Sequence, residues 1–342
     1  MEKDINKKIN KLQLYIKKFL IATTLKNKKV SIWHKDIENK ILPFVNSGKS
    51  MRGLLVLLGA GNENANSLKL ASALELIHSS ILMQDDIMDQ DEKRRGKDSI
   101  YHQYEKEFKI PNVHYGISQA ITLSEIGIFL AFDLLNGINH PNKEKIISFF
   151  MDELVRVGFG QMQDVFVGWD KNDPDFNTIV DIYKSKTARY SISLPIALGY
   201  LLSVNKFDKK VFNQIILAGE YLGIAFQMKD DELGIWGESK STGKGVLKDV
   251  NKNKKTVIKF LLLEKLNKTE KTDINNIFGK ENLSEVEISI LLNLLEKYKI
   301  KEKHTGLMQE YNKNAEKITK KLPQQYQEIL FFIQSFNDNR EK

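Results

Sequence analysis

Apolar residues recur at intervals of three and four positions along much of the 342-residue chain, with charged or amide side chains between them. This spacing places the apolar side chains on one face of an α-helix, because each residue in a helix is rotated by about 100° from the last. Three such stripes are Ile5, Ile9, Leu12, Ile16 and Phe19; Leu70, Leu74, Ile77, Ile81 and Met88; and Ile215, Leu222 and Phe226. The pattern therefore predicts long amphipathic helices.

Helix boundaries and the lack of strand patterns set the fold class. Ser284 and Glu287 have capping-box spacing ahead of an apolar run, and six prolines are too few to interrupt many helices. No stretch of useful length alternates apolar and polar residues as a half-buried strand does. We therefore predict an all-α fold, a single-domain helical bundle over residues 1–342, with a loop-rich segment at 237–256.

Composition narrows the class of protein. Hydrophobic residues make up 42% of the chain, which is enough for a sizeable core. The absence of cysteine excludes a disulfide framework, a thiolate nucleophile and cysteine-bound metal. The lysine-rich N-terminus lacks the apolar segment of a signal peptide, and no stretch approaches the roughly 18 apolar residues of a membrane span, so we expect a cytoplasmic protein.

The net charge of +8 is compatible with nucleic acid, anionic lipid or a phosphorylated small substrate as a partner. Lysines spread over both termini account for much of this charge, which is typical of solvated surface. Basic and aromatic residues are not interleaved as in sites for single-stranded nucleic acid, so we expect no nucleic-acid partner. Peripheral contact of the basic termini with an anionic membrane remains a hypothesis.

The stretch LMQDDIMDQDEKRRGK, residues 82–97, ends an apolar segment in a dense group of acids followed by bases. If this segment is one helix, Asp85 and Asp89 lie one turn apart on the same face, with Asp86 beside them. Carboxylates this close repel one another unless a cation lies among them. Oxygen ligands without His or Cys suit Mg²⁺, which proteins hold with a few carboxylates and a substrate phosphate. A solvated acidic helix end is the alternative.

A second acidic group lies in LGIAFQMKDDELGIWG, again at the end of an apolar stripe. Gln227 and Asp231 are one helical turn apart, as are Asp230 and Gly234. Two acidic groups on two apolar helices could face one another across a cavity with an ionic mouth and an apolar floor. Such a cavity fits a molecule with a diphosphate head and a hydrocarbon tail.

Basic residues that could hold the phosphates occur in several short segments. Lys49 and Arg52 in SGKSMRG lie one turn apart at a predicted helix start, where the helix dipole also favours an anion. Arg94 and Arg95 follow the first acidic group, and guanidinium groups match phosphate oxygens. The other candidates are Lys186, Lys244 and Lys254. Taken singly, each is more typical of surface than of a site.

In this order and spacing, the segments resemble the trans-isoprenyl diphosphate synthases, the family of farnesyl and geranylgeranyl diphosphate synthases. The resemblance covers residues 45–260 and rests on GKSMR, ELIHSSILMQDDIMDQDEKRRG, GQMQD, KTARYSISLP, FQMKDDELG and GKGVLKDVNKNKKT. No single segment is decisive, but the set is highly specific. It implies a helical bundle around a central cavity, the isoprenoid synthase fold.

The resemblance also implies a role for each matching residue. Asp85, Asp86 and Asp89 would bind Mg²⁺ that bridges to an allylic diphosphate, and Asp230 and Asp231 would bind a further Mg²⁺. Contact with the allylic diphosphate is implied for Arg94, Lys186 and Lys244, and a place near that diphosphate for Lys254. Binding of isopentenyl diphosphate is implied for Lys49, Arg52, His78 and Arg95. Stabilisation of the carbocation is implied for Thr187 and Gln227.

The implied reaction is a head-to-tail (1′–4) condensation of isopentenyl diphosphate with dimethylallyl, geranyl or farnesyl diphosphate, catalysed by a homodimer. Roughly three Mg²⁺ ions are expected, with Mn²⁺ as a substitute. Ser80 and Ile81, five and four positions before Asp85, would influence product length. Because Ser80 is small, we expect geranylgeranyl diphosphate first, a longer polyprenyl product second and farnesyl diphosphate third.

Two departures and two alternatives qualify the resemblance. Gly234 stands where many relatives have aspartate, which leaves the second metal site less defined, and two residues separate Lys49 from Arg52. A class I terpene cyclase would have an Asn/Asp-Ser/Thr-Glu motif in place of QMKDDELG and would lack the second set of diphosphate ligands. A non-catalytic subunit of a hetero-oligomeric synthase would have lost aspartates from the first group.

Overall fold

The structure is a computed structural model, and it describes residues 2–107, 111–237 and 247–340. Its elements up to residue 169 are α1 (Glu2–Lys26), α2 (His34–Asp36), π1 (Ile37–Ile41), α3 (Leu42–Asn46), α4 (Met51–Ala60), α5 (Ala65–Met88), β1 (Lys93–Arg94), β2 (Lys97–Asp98), α6 (Ile100–Glu105), α7 (Val113–Asn136) and α8 (Lys143–Trp169). The two short antiparallel strands are the only ones in the described residues, so the predicted all-α fold is confirmed.

The elements that follow residue 169 are also helical. They are α9 (Phe176–Ile182), π2 (Tyr183–Ser193), α10 (Leu194–Ser203), α11 (Lys209–Trp236), α12 (Lys248–Asn251), α13 (Val257–Leu263), α14 (Lys268–Ile277), α15 (Glu285–Lys297), α16 (Ile300–Thr319) and α17 (Gln324–Asp338). Of the predicted loop-rich segment, residues 238–246 lie outside the described part, and α12 lies in the rest. The capping box of Ser284 and Glu287 is present at the start of α15, as predicted.

Contacts divide the chain into two compact units. Unit 1 consists of Met1–Phe149 with Pro195–Phe207, and unit 2 consists of Phe150–Leu194 with Asp208–Lys342. The first acidic group belongs to unit 1 and the second to unit 2. A single domain spanning the whole chain stays a prediction.

Helix α5 is the central element of unit 1. The side chain of Asn64 accepts hydrogen bonds from the backbone N–H groups of Asn66 and Ser67, which satisfies two donors at the helix start. In the predicted stripe, Leu70, Leu74 and Ile77 are buried, Ile81 is half-buried and Met88 is exposed. A helix that is capped at its start and buried through Ile77 holds the carboxylates at its C-terminal end in a defined position.

Helix α7 packs closely against α5 in unit 1. By length and composition alone, α7 is apolar enough to cross a membrane, which was not expected from the sequence. One third of its most apolar 18-residue stretch is buried. One such helix carries little weight, because core helices of globular proteins also meet these criteria.

Helix α11 has the corresponding place in unit 2. Asp208 caps its start by accepting hydrogen bonds from the N–H groups of Lys210 and Val211. Gly219 and Gly223 let α11 approach π2 closely, because a methyl group at either position would contact residues of π2 at less than 3 Å. The close approach brings the side chains of π2 next to the carboxylates of α11.

Candidate active site

The first acidic group lies at the C-terminal end of α5. Asp85 and Asp86 are in the last turn, and Asp89 caps the helix, its N–H donating to the carbonyl oxygen of Asp85 at 2.8 Å. The single helix that the sequence predicted is therefore confirmed. Asp86 is fully buried, whereas Asp85 is partly accessible to solvent.

Arg94 pairs with both carboxylates at this helix end. The β1–β2 hairpin turns the chain back, with Arg95 and Gly96 at positive φ, and points Arg94 at α5. Its Nε donates to Asp86 Oδ1 at 2.6 Å and its Nη2 donates to Asp85 Oδ2 at 3.3 Å. Arg94 was expected to contact a diphosphate; here it is the counter-ion of the acidic group.

Asp86 still lacks part of its hydrogen bonding. Its Oδ2 is buried and has no hydrogen-bond partner among the described residues. Burial raises the pKa of Asp86 to about 6 and the charge of Asp85 adds to the effect, while Arg94 opposes both. A buried oxygen with unused lone pairs beside a second carboxylate favours binding of a further cation.

Three arginines and a histidine converge next to this group in unit 1. Arg52, in the first turn of α4, donates from Nη1 to His78 Nε2 at 2.9 Å. Burial lowers the pKa of His78 well below its usual value, and the charges of Arg52, Arg95 and Arg94 lower it further. The imidazole is therefore neutral, and the surrounding positive charge favours a bound anion.

Arg95 and Lys49 approach the same helix start from the preceding loop. The Nη1 of Arg95 donates to Ser47 Oγ at 3.0 Å, and its guanidinium lies where a side chain at Gly48 would be. Lys49 precedes α4, because Ser50, at φ 49°, caps the helix from the left-handed region. The predicted helical spacing of Lys49 and Arg52 is therefore wrong, although both residues are at the helix start.

Glu75 is a site residue that the sequence analysis missed. It is buried in α5, and its Oε1 accepts a hydrogen bond from the backbone N–H of Gly53 at 2.7 Å. Burial raises its pKa, while the Gly53 N–H and the charges of Arg52 and Arg95 oppose that shift. Glu75 thus fixes the start of α4 and partly balances the arginines. An acid within an apolar stripe, three residues before His78, was the available signal.

The second acidic group lies in the last two turns of α11 in unit 2. Asp231 is buried, and its two oxygens accept hydrogen bonds from the Tyr183 hydroxyl and, at 3.1 Å, from Gln227 Nε2. Burial raises the pKa of Asp231 to about 7; Asp249 adds to the shift, whereas the two hydrogen bonds oppose it. Gln227 was expected to direct its carbonyl oxygen at a cation, but here its amide N–H₂ group contacts Asp231.

Asp230 is more exposed than Asp231 and pairs with a residue far along the chain. A guanidinium N–H of Arg340 donates to Asp230 Oδ1, and the same guanidinium lies 4.1 Å from the centre of the Phe226 ring. Burial raises the pKa of Asp230, and Arg340 opposes the shift. Arg340 lies beyond the segments that carry the resemblance, so the sequence analysis did not select it.

The remaining predicted ligands of unit 2 are arranged around these carboxylates or on π2. Lys254 Nζ lies 3.2 Å from Asp249 Oδ1, and the charge of Lys254 lowers the pKa of both Asp230 and Asp231. Lys244 lies outside the described residues.

Lys186 lies on π2, where the carboxylate of Asp164 from α8 accepts from its Nζ at 2.6 Å; Thr187 is half-buried beside it. Asp164 ends the GQMQD segment that formed part of the resemblance. π-Helical turns are frequent at functional sites.

The two product-length candidates lie on α5. Ser80 is buried, and its Oγ occupies the space that a side chain at Gly127 of α7 would fill. Ile81 is half-buried. The Ser80 side chain therefore packs directly against α7 at Gly127. A role for either residue in product length stays a prediction.

A cavity of about 550 Å³ in unit 1 is lined by the end of α1, the segment after it and α7, including Trp33, Ile126 and Phe129. None of the residues that the sequence predicted for the site lines this cavity.

The acidic groups fit hard divalent cations, although the described residues contain no ready-made cluster of three His, Cys, Asp or Glu ligands. The guanidinium groups of Arg94 and Arg340, which pair with Asp86 and Asp230, occupy positions that a metal ion could take. Asp86 Oδ2 has an unused lone pair. Two carboxylates per site, completed by phosphate oxygens and water, is the arrangement Mg²⁺ prefers.

Comparisons with known proteins identify the family of the chain. The family model for polyprenyl synthetase matches residues 35–295. The chain is 29% identical over 282 residues to a geranylgeranyl diphosphate synthase of Sulfolobus acidocaldarius, covering 80% of each chain. It is 28% identical over 242 residues to a geranylfarnesyl diphosphate synthase of Aeropyrum pernix, covering 66% of this chain and 70% of the relative.

A solved structure has the same fold. The crystal structure of a Corynebacterium glutamicum geranylgeranyl pyrophosphate synthase, complexed with isoprenyl diphosphate and magnesium, superposes with a TM-score of 0.86 at 23% identity over 96% of this chain and 98% of that one. This likeness establishes the all-α isoprenoid synthase fold. The extent of the family match establishes more: the chain belongs to the polyprenyl synthetase family and is a prenyltransferase.

Proposed function

We propose that the protein condenses isopentenyl diphosphate with an allylic diphosphate, in a Mg²⁺-dependent head-to-tail reaction, to give a short-chain all-trans prenyl diphosphate. One observation carries the proposal: Arg52, Arg95 and His78 lie together beside the Asp85–Asp86 group in the same unit, so positive charge and carboxylates are neighbours. The proposed reaction needs two diphosphate sites. A site lined by basic residues suits the diphosphate that binds without metal, and a site with carboxylates suits the diphosphate that binds through Mg²⁺.

In the proposed reaction, the C–O bond between the allyl group and its diphosphate breaks, and the double bond of isopentenyl diphosphate forms the new C–C bond. C2 of the isopentenyl unit then loses a proton, and the departed diphosphate accepts it. When bound to the carboxylates, Mg²⁺ would supply charge neutralisation of the departing diphosphate. In this proposal Arg52 holds the diphosphate of isopentenyl diphosphate, and apolar side chains exclude water. The hydroxyl of Thr187, on π2, stabilises the carbocation.

We further propose geranylgeranyl diphosphate as the product, ahead of a longer polyprenyl or farnesyl product. Support comes from the small Ser80 side chain and from relatives that are geranylgeranyl diphosphate synthases. Roughly three Mg²⁺ ions, replaceable by Mn²⁺, are proposed as the cofactor.

A class I cyclase and a non-catalytic subunit are the alternatives. The QMKDDELG segment and the arginine–histidine site argue against a cyclase, and the intact Asp85, Asp86 and Asp89 argue against a silent subunit. Consumption of isopentenyl diphosphate separates the proposed function from both.

We propose a homodimer on the strength of an apolar face of α8. Phe159, Met162 and Phe166 are each more than 60% exposed and follow the helical repeat, as do Val155 and Trp169. Such a face is typical of an interface between chains. Cytoplasmic location and peripheral membrane contact are proposals too; co-sedimentation with anionic and neutral liposomes tests the second.

Arg52→Gln tests the proposed function. We expect the KM for isopentenyl diphosphate to rise by about tenfold or more with a small change for the allylic substrate, because one charged hydrogen bond to phosphate is lost. Exposed Arg156, replaced in Arg156→Gln, is the matched control. An unchanged KM for isopentenyl diphosphate in Arg52→Gln would contradict the assignment.

A further inference from the structure

Helix π2 is long for its type. π-Helical turns mostly occur singly inside α-helices, whereas π2 runs for 11 residues, Tyr183–Ser193. Its hydrogen bonds join residues five apart; at its end the N–H of Leu194 donates to the carbonyl oxygen of Arg189. A helix form this rare must be stabilised by contacts outside itself, and the same helix carries Lys186 and Thr187.

Arg189 connects π2 to two buried carboxylates on two other helices. Its Nε donates to Glu153 Oε2 of α8 at 3.0 Å, and its Nη2 donates to Oε1 of the same carboxylate. Its Nη1 donates to Glu220 Oε2 of α11, also at 3.0 Å. A two-pronged contact between guanidinium and carboxylate is strong and directional, and both glutamates are shielded from water. Arg189 therefore fixes one turn of π2 against α8 and α11.

The two cations on π2 that share Glu220 have the spacing of a π-helix. Lys184 Nζ lies 2.9 Å from Glu220 Oε1, while Arg189 donates to Oε2 of the same carboxylate. Lys184 and Arg189 are five residues apart, which would turn their side chains about 140° away from each other on an α-helix. Residues five apart are hydrogen-bonded neighbours in a π-helix. The shared carboxylate of Glu220 therefore favours the π form over the α form.

Lys186 and Thr187 lie between these two cations on the same helix. The packing there is tight, because a Cβ at Gly160 of α8 would lie 2.7 Å from the backbone nitrogen of Lys186. Lys186 Nζ donates to Asp164 of α8 at 2.6 Å. A change of π2 to the α form would rotate the side chains at positions 186 and 187 relative to α8 and α11.

We propose that Arg189 is a positioning residue that, together with Glu153 and Glu220, holds π2 in its π form and thereby directs Lys186 and Thr187. This inference rests on the proposed function, since the allylic diphosphate is the substrate that Lys186 and Thr187 would meet. Arg189 acts through these two residues, because its guanidinium is bonded to the glutamates of α8 and α11.

Steady-state kinetics of Arg189→Lys on the full chain test this inference. Lysine keeps the positive charge but cannot make the same forked contact. We expect kcat to fall about 10- to 100-fold and the KM for the allylic diphosphate to rise about tenfold, because small misplacements in a site have effects of this size. The KM for isopentenyl diphosphate should change less than about twofold, because Arg52 and Arg95 belong to unit 1. A smaller folded fraction alone would lower the apparent kcat and leave both KM values unchanged.

Arg156→Lys is the matched control. Arg156 Nε lies 3.6 Å from Glu153 Oε1, so Arg156 approaches the same carboxylate, but it lies on α8 and is exposed. We expect kcat and both KM values of the wild type. A folded Arg189→Lys whose kcat and allylic KM lie within about twofold of the wild type would overturn the proposal. Equal effects of the two variants would overturn it as well.

Glu153→Gln provides a second test, which leaves the sequence of π2 unchanged. It removes the charge of one partner of Arg189 and keeps its size and one acceptor oxygen. We expect the same separation of the two KM values with a smaller fall in kcat, about three- to tenfold, because Arg189 keeps Glu220. Wild-type kinetics in a folded Glu153→Gln would count against the proposal. If Arg189→Lys does not fold, Glu153→Gln alone decides; if neither folds, the cluster acts on stability alone and the proposal is overturned.

The two proposals fail in different ways. A wild-type protein that leaves isopentenyl diphosphate intact would refute the proposed function, and the role of Arg189 with it. A wild-type protein that forms prenyl products, with Arg189→Lys kinetically unchanged, would refute only the role of Arg189.

Discussion

We expect Arg340 to compete with a metal ion for Asp230, and the variant Arg340→Gln measures the strength of that competition. The guanidinium pairs with the carboxylate and lies over Phe226, but the Asp230 side chain is 38% exposed, so solvent screens the pair. Pairs of this kind contribute about 0.2–1 kcal/mol. If Mg²⁺ must displace Arg340, removing the charge should tighten metal binding by up to about fivefold, since 1.4 kcal/mol corresponds to about tenfold.

The assay is a Mn²⁺ titration with inorganic diphosphate at low and high salt. We expect the difference between Arg340→Gln and the wild type to shrink as ionic strength rises, because salt screens the exposed pair. Arg340→Lys keeps the charge and should stay close to the wild type. Equal or weaker Mn²⁺ binding by Arg340→Gln at low salt would refute the competition.

Three further predictions concern other parts of the chain. Asp85→Ala should reduce Mg²⁺-dependent turnover on the order of 10³-fold with an unchanged circular dichroism melting curve, and near-normal turnover would contradict the metal assignment. Ser80→Phe should shorten the product and destabilise the fold by about 1–3 kcal/mol against Gly127, measured by product mass and urea unfolding; Ser80→Ala, the control, should do neither. His304 is buried without a hydrogen-bond partner among the described residues, and burial lowers its pKa to about 4. Because this folded-state pKa lies below the usual 6.5, the unfolded chain binds the proton first, and up to about 3 kcal/mol of stability is lost as pH falls from 6.5 to 4. In His304→Leu, the free energy of unfolding measured with urea should depend less on pH in that range. An unchanged dependence would mean that another group causes the loss of stability at low pH.

The helices and the acidic groups could be predicted because their signals are local. The apolar stripe of α5 and the spacing of Asp85 and Asp86 are encoded within two dozen residues, and the periodicity of a helix converts spacing into direction. The capping box at Ser284 is equally local. For these features, the spacing of residues within one segment is enough to predict which side chains lie together.

The partners of the acidic groups could not be predicted in the same way. Arg340 meets Asp230 across 110 positions, and Asp249 enters the space at Gly234 from a different helix. Such contacts depend on how helices pack against one another. The periodicity of one segment does not indicate which other segment packs against it. The burial of Ser80 against Gly127 escaped prediction for the same reason.

The roles that the resemblance implied for Arg94 and Gln227 differ from the contacts that these residues make in the structure. It implied that Arg94 contacts a diphosphate and that Gln227 faces a carbocation, whereas here both contact aspartates. A buried carboxylate needs hydrogen-bond donors, and Arg94 and Gln227 supply them to Asp86 and Asp231.

The central claim is that isopentenyl diphosphate is joined to an allylic diphosphate, and product mass tests it most directly. Purified protein is incubated with labelled isopentenyl diphosphate, Mg²⁺ and each of dimethylallyl, geranyl and farnesyl diphosphate, and the products are dephosphorylated and sized. The account predicts elongated all-trans alcohols, the longest being geranylgeraniol, and none after chelation of Mg²⁺. Intact isopentenyl diphosphate alongside consumed allylic substrate would contradict the account in favour of a cyclase.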